Sequence, residues 1–157
     1  MKRHDTLTPL SRDHHDGLLL ATRLQQGNKA LLRLWSHDPG WQASYVVRFY
    51  DEDLAPHFEA EEKILFPLAR KHIHDPRDII DRLLAEHEKM RSMIDSFRRP
   101  EPKTLESTLK EFGTILEKHI RCEERELFPL CEETIPPKEL EHAGASIARY
   151  RPSGVKQ

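Results

Sequence analysis

The chain has 157 residues, 33% charged and 37% hydrophobic, with a formal net charge of -2. That length suits one domain over residues 1–157 and leaves little for a second. The lack of a basic surplus argues against a nucleic-acid binder, and the longest aliphatic run, Leu18-Leu19-Leu20-Ala21, is far too short to cross a bilayer.

Apolar residues recur at helical spacing, and no stretch alternates apolar and polar residues as a strand would. The first ten residues carry charge with no apolar segment after them, so no signal peptide is expected and the cytoplasm is the default compartment. Thr8-Pro9 reads as an N-cap followed by proline in the first turn, opening a helix from Pro9 to Gln26 that Gly27-Asn28 stops. A short helical piece is expected from Ala30 to Trp35, then a loop from Ser36 to Gly40. A second helix runs from Trp41 to His72, and Pro56 and Pro67 inside it predict a bend near Pro56 or lost regularity after Phe66. Asp75-Pro76 opens a third helix that continues to Arg98. Pro100-Glu101-Pro102 separates it from a fourth, Thr104 to Thr134, which Pro136-Pro137 ends. Lys138 to Arg149 forms a short terminal helix before a frayed tail. Four long helices joined by short turns predict an all-α, up-down-up-down antiparallel four-helix bundle with its core in residues 9–133. Cys122 and Cys131 lie about 13 Å apart along the fourth helix, too far for a disulfide, so both are expected reduced and buried.

The chain matches itself at an offset of 62: His57-Phe-Glu-Ala-Glu61-Glu62-Lys-Ile-Leu65-Phe66-Pro67-Leu68 lies over His119-Ile-Arg-Cys-Glu123-Glu124-Arg-Glu-Leu127-Phe128-Pro129-Leu130. Any two glutamate-rich helices would share Glu62 and Glu124. They would not share a histidine and a Phe-Pro step in register. A weaker match precedes each copy, Leu10-Ser-Arg-Asp13-His14-His15 in the first helix and Leu83-Leu84-Ala85-Glu86-His87 in the third. The chain therefore reads as two helix pairs, each with one lone histidine and one His-x3-Glu.

Residues i and i+4 share a helix face, so His57 points with Glu61 and His119 with Glu123. Leu54, Ile64 and Leu68 share the first face, and Phe112, Leu116 and Leu127 the second. These polar side chains are thus aimed at an apolar interior. His87, among Leu83, Leu84, Met90 and Ile94, behaves likewise, as does His14 beside Leu10, Leu18 and Ala21. His15 competes with His14 for that place; the Leu10 spacing and the preceding acid favour His14. Buried ionised carboxylates cost several kcal/mol unless compensated. Dications among the four histidines and two glutamates would compensate them, and imidazole with carboxylate suits iron, manganese or zinc. Two carboxylates plus two histidines per metal would make a near-symmetric two-metal site.

The order lone His, His-x3-Glu, lone His, His-x3-Glu resembles the hemerythrin-like (His-His-Glu cation-binding) family, as do Leu10-Ser-Arg-Asp-His-His and the two Glu-Glu-x-x-Leu-Phe-Pro segments. The resemblance implies a non-haem di-iron centre in a four-helix bundle, bridged by the glutamates, with dioxygen or another small oxidant as partner. It assigns His14, His57, Glu61, His87, His119 and Glu123 as ligands. Oxygen-carrying members have His-x3-His on the third helix, where this chain has Arg91 four residues after His87, and they end with His-x4-Asp where this chain has His119 and Glu123. These departures point away from oxygen transport and leave a coordination position for water or for Tyr50, seven residues before His57.

Asp53, four residues before His57, is either an orienting group or an exposed helix acid. His72 and His74 read as helix-terminal surface residues. His4, His37 and His142 receive no role, and Leu65-Phe66 and Leu127-Phe128 read as apolar plugs at one end of the site. Three functions remain: a di-iron protein that binds or reacts with oxygen, peroxide or nitric oxide; an iron- or oxygen-sensing module acting through a partner protein; and a zinc-loaded or structural bundle. The residues do not decide whether the chain is an enzyme.

Overall fold

The computed structural model describes residues 2–27, 35–74 and 78–151, and all regular structure among them is helical. Helix α1 is Thr8–Gln26. Thr8 is its first residue rather than its N-cap. The chain is already wound ahead of it, with Leu7 N–H donating to the His4 carbonyl at 2.9 Å and the Thr8 hydroxyl to the same carbonyl at 3.2 Å. Gly27 ends the helix at a φ of 54°, a conformation that favours glycine. Asn28 and most of the expected Ala30–Trp35 piece lie outside the described residues, and Trp35 itself is not helical.

Helix α2 spans residues 39–72 and starts inside the expected loop, because Asp38 caps it by accepting the Trp41 N–H at 2.8 Å and Pro39 fits its first turn. It continues through Pro56, where a bend was expected, and stays helical past Phe66 to His72. Instead the turn ahead of each interior proline is widened, at Tyr50–Leu54 and Glu61–Leu65. The amides of Ala55 and Phe66 reach back five residues, to the carbonyls of Tyr50 and Glu61. A proline lacks an amide hydrogen and crowds the carbonyl four residues back; a wide π turn placed just before it relieves that crowding. Wider turns also shift the buried face. Leu65, Phe66 and Ala69 are fully buried, whereas Ile64 and Leu68, expected to face inward with Glu61, are only partly so.

Helix α3 is Ile79–Arg98; the Asp75-Pro76 start signal lies outside the described residues, and Asp78 precedes the helix with a φ of 51°. Helix α4 spans residues 102–134, beginning two residues before Thr104 because Pro102 fits its first turn. It repeats the wide turn at Glu123–Leu127, just before Pro129. Helix α5 is Pro137–Tyr150.

Pairings run in opposite register along neighbouring helices. His14 and Gln25 of α1 meet Glu124 and Glu117 of α4, at 2.6 and 2.7 Å. Asp51 and Glu62 of α2 meet Arg98 and His87 of α3, and Arg82 and Glu86 of α3 meet Glu126 and His119 of α4. Asp13 of α1 meets His57 of α2. The result is the expected antiparallel four-helix bundle, in cyclic order α1–α2–α3–α4. Helices α1 and α4 pack so closely that a Cβ on Gly113 would sit 2.9 Å from the Ala21 carbonyl oxygen. Helix α5 lies along α2 and buries Leu140, Ala143 and Ile147, while the Thr6 hydroxyl donates to the Leu140 carbonyl at 2.9 Å. No helix among the described residues is long and apolar enough to cross a membrane.

The apolar core is in two pieces. One holds Leu20, Val46, Phe58, Met90, Leu109, Phe112 and Leu116. The other holds Leu7, Leu10, Leu65, Phe66, Leu83, Leu127 and Phe128. The buried histidines and glutamates of the bundle lie between them.

Candidate metal centre

His14, His57, Glu61, His87, His119 and Glu123 are all buried, Glu61 and Glu123 completely. They form two groups whose donor atoms lie within 4.8 Å of one another: His14, His57, Glu61 and Glu123, and Glu61, His87, His119 and Glu123. The two glutamates belong to both groups. Glu61 turns Oε1 toward His57 and Oε2 toward His87, whose Nε2 is 3.4 Å away. Glu123 Oε1 lies 2.7 Å from His119 Nε2 and 3.9 Å from His14 Nε2. All six side chains carried over by resemblance are therefore brought together. Of the two competing histidines, His14 joins these groups and His15 is exposed.

Each imidazole is oriented by a carboxylate from a neighbouring helix. Asp13 of α1 holds His57 Nδ1 of α2 at 2.9 Å. Glu62 of α2 holds His87 Nδ1 of α3 at 2.6 Å. Glu86 of α3 holds His119 Nδ1 of α4 at 2.9 Å, and Glu124 of α4 holds His14 Nδ1 of α1 at 2.6 Å. The four bonds form a closed ring that visits every bundle helix once. With Nδ1 donating its hydrogen outward, each neutral ring presents a bare Nε2 lone pair to the centre.

This arrangement is unfavourable without a cation. None of the four oxygens of Glu61 and Glu123 accepts a well-formed hydrogen bond, nor does His14 Nε2 find a partner. His87 Nε2 and His119 Nε2 face each other at 3.1 Å. Lone pairs pointed at lone pairs in a dry core repel, and unpaired buried carboxylates cost several kcal/mol. Cations in the two groups would turn every one of these contacts into an attraction. The donor set, four imidazoles and two carboxylates, therefore fits two first-row transition-metal dications, each meeting two nitrogens and both glutamates.

The electrostatics agree. In the cation-free protein burial alone would lower the His57 pKa, but the facing Glu61 charge and the bond to Asp13 push it up to about 10. His119, also opposed by burial, is raised to about 10 by Glu123 and Glu86. Protons thus take the places that cations would. Around the ring, burial opposes ionisation of Glu124, yet His14 and Arg3 hold its carboxyl down at about 2, and Asp13 and Glu62 are lowered against burial by His57 with Arg151 and by His87 with Arg91.

Aromatic rings dry the site. Phe66 stacks on His87 with centroids 5.6 Å apart, and its repeat partner Phe128 stacks on His14 at 5.5 Å. The phenylalanines of Leu65-Phe66 and Leu127-Phe128, expected as plugs, thus cover one histidine each. Phe58 stacks on His87 at 3.8 Å with no aromatic counterpart in the other half, where Ile120 stands. Arg91, at the position of the missing histidine, turns away to Glu62 at 2.6 Å and Glu88 at 2.9 Å. Tyr50 is partly buried, packs edge-on against Phe58 and bonds Arg91. Asp53 accepts from Arg151 at 3.3 Å, while Asp13 holds His57 Nδ1. Cys131 is buried and Cys122 half-buried, both as free thiols, and burial pushes them up to about 12 and about 11. His72 pairs with Glu139 of α5.

Sequence reasoning missed the orienting acids. Glu62 and Glu124 read as ordinary helix residues, and Glu86 only as part of a histidine step. The signal was present: an acid precedes each lone histidine and another follows each ligand glutamate.

Among known proteins, the chain is 27% identical over 133 residues to a "DNA nickase" of Nostoc sp. (strain PCC 7120 / SAG 25.82 / UTEX 2576), a match covering 82% of this chain and 34% of that protein. The chain thus spans about a third of that relative's length. No solved structure matches at a comparable level of significance. The Hemerythrin HHE cation binding domain profile matches residues 5–131, which hold all six converging donors and the four acids that aim them, and the chain belongs to that family.

Proposed function

We propose that the protein is a non-haem di-iron protein that binds or reacts with dioxygen, peroxide or nitric oxide. The observation that carries this reading is the convergence of four imidazoles and two buried carboxylates into two groups of four that share both glutamates, the donor atoms of each group lying within 4.8 Å of one another. Each group supplies four protein side chains, and a six-coordinate metal there keeps positions free for a small exogenous ligand. Bound iron would supply one-electron redox chemistry at those positions. The chain's own part is to aim the four imidazoles, to hold Glu61 and Glu123 between the two histidine pairs, and to keep bulk water away with Phe58, Phe66 and Phe128. Arg91, which stands where a further imidazole would, is drawn off to Glu62 and Glu88 and adds no donor.

Elemental analysis of the isolated protein, with visible spectra in air and after reduction, tests the reading. Two irons per chain and an oxo-bridge charge-transfer band that bleaches on reduction are expected. A colourless protein with two zinc ions, for which four donors are already a complete shell, would replace this function with a structural one. Glu61→Ala and Glu123→Ala should each hold fewer than two metals per chain; a full complement in both would show that the glutamates are not shared.

A further inference from the structure

The two halves of the centre are near equivalents, but their surroundings are not. Of the four orienting acids, the two that serve the His14–His57 half are each gripped by an arginine from outside the bundle. Arg151, immediately after α5, forks onto Asp13: Nε donates to Oδ2 at 2.8 Å and Nη2 to Oδ1 at 2.6 Å. Arg3, ahead of α1, donates from Nη2 to Glu124 Oε2 at 2.9 Å and to the Glu124 carbonyl at 3.0 Å, and from Nη1 to Glu132 at 2.5 Å. The other half is served from within, Glu62 being held by Arg91 of α3. Arg3 and Arg151 both lie outside residues 5–131, the extent of the family match. The charged heads are largely sheltered, with side-chain exposures of 25% for Arg3 and 14% for Arg151, so these are not solvent-screened surface pairs.

We infer that Arg3 and Arg151 are positioning residues forming a two-armed clasp on the His14–His57 half of the centre, so that this cation's affinity depends on the docking of the N-terminal segment and α5 while the other cation's does not. The inference rests on the two-cation reading above. A forked arginine fixes the rotamer of Asp13, which fixes the plane of His57 and the direction of its Nε2; Arg3 does the same for His14 through Glu124. Loss of an orienting partner of this kind weakens metal binding by about 10- to 100-fold.

The test uses the full chain loaded anaerobically with iron(II) and challenged with graded chelator, reading bound iron per chain and helical content together. Wild type should hold two irons. Arg151→Gln and Arg3→Gln should each lose one iron at about 10-fold lower chelator and keep the other, with Arg151→Lys, which retains charge but not the fork, in between. In a His119→Ala background Arg151→Gln should still weaken the remaining iron, and in a His14→Ala background it should not. Equal loss of both irons in Arg151→Gln, or retention identical to wild type, overturns the clasp alone. A wild type holding fewer than two irons overturns the two-cation reading with it.

Discussion

His57 and His119 show what a single residue contributes and what its spacing reveals. Each is four residues before a glutamate and among apolar neighbours, and that pattern was enough to place both in the interior. The acids that aim them stand at repeated positions, but that signal is weak, because an acid beside a ligand has no periodicity to separate it from a solvated helix face. The same two rings set a pH dependence with an unusual sign. In the cation-free protein both are raised from 6.5 to about 10, by Glu61 with Asp13 and by Glu123 with Glu86, each against burial. A raised folded-state value contributes stability that is complete below 6.5 and is lost as pH climbs through about 10. Thermal melts in chelator should therefore show a falling midpoint from pH 6.5 to 10. The loaded protein should behave oppositely, releasing metal as protons compete for Nε2 below about pH 6. A midpoint independent of pH across the alkaline range in chelator would contradict the proton-for-cation exchange.

Helices, as elements, were readable nearly end to end, since proline, glycine and apolar spacing mark their limits. The wide turns were not. Pro56 and Pro67 carried a bend signal, but whether a helix bends, breaks or widens depends on what the next turn must bury. Here Phe66 and Phe128 must reach histidines on other helices, and a π turn delivers them while relieving the proline. Contact between elements gives a sharper expectation at Gly113, where α4 meets α1. A methyl group there would approach the Ala21 carbonyl at 2.9 Å and Leu24 Cβ at 3.0 Å, so the helices must move apart. Gly113→Ala should cost about 1–3 kcal/mol in chemical denaturation, despite alanine's better helix propensity. A variant as stable as wild type would show that the α1–α4 spacing can relax.

At the scale of the whole molecule, the polar centre divides the apolar core in two, and every bundle helix contributes a donor. Cations that bind only the folded arrangement stabilise it by mass action, about 2.7 kcal/mol per site at a hundredfold excess over Kd. Removing metal with chelator at neutral pH should lower the melting midpoint by several degrees while leaving the helical signal at room temperature. An unchanged midpoint would mean that the centre does not tie the halves together. The 62-residue repeat made this architecture legible before any coordinates, because two copies of one pattern imply two similar halves. Arg3 and α5 with Arg151 lie outside the repeat and carried no such signal. The repeat also says what each half owns. Helices α1 and α2 bring two imidazoles and one carboxylate, helices α3 and α4 bring the same, and each lends its carboxylate across the midline. One hairpin thus carries three of the four donors of one group, and only a twofold pair of such hairpins completes both.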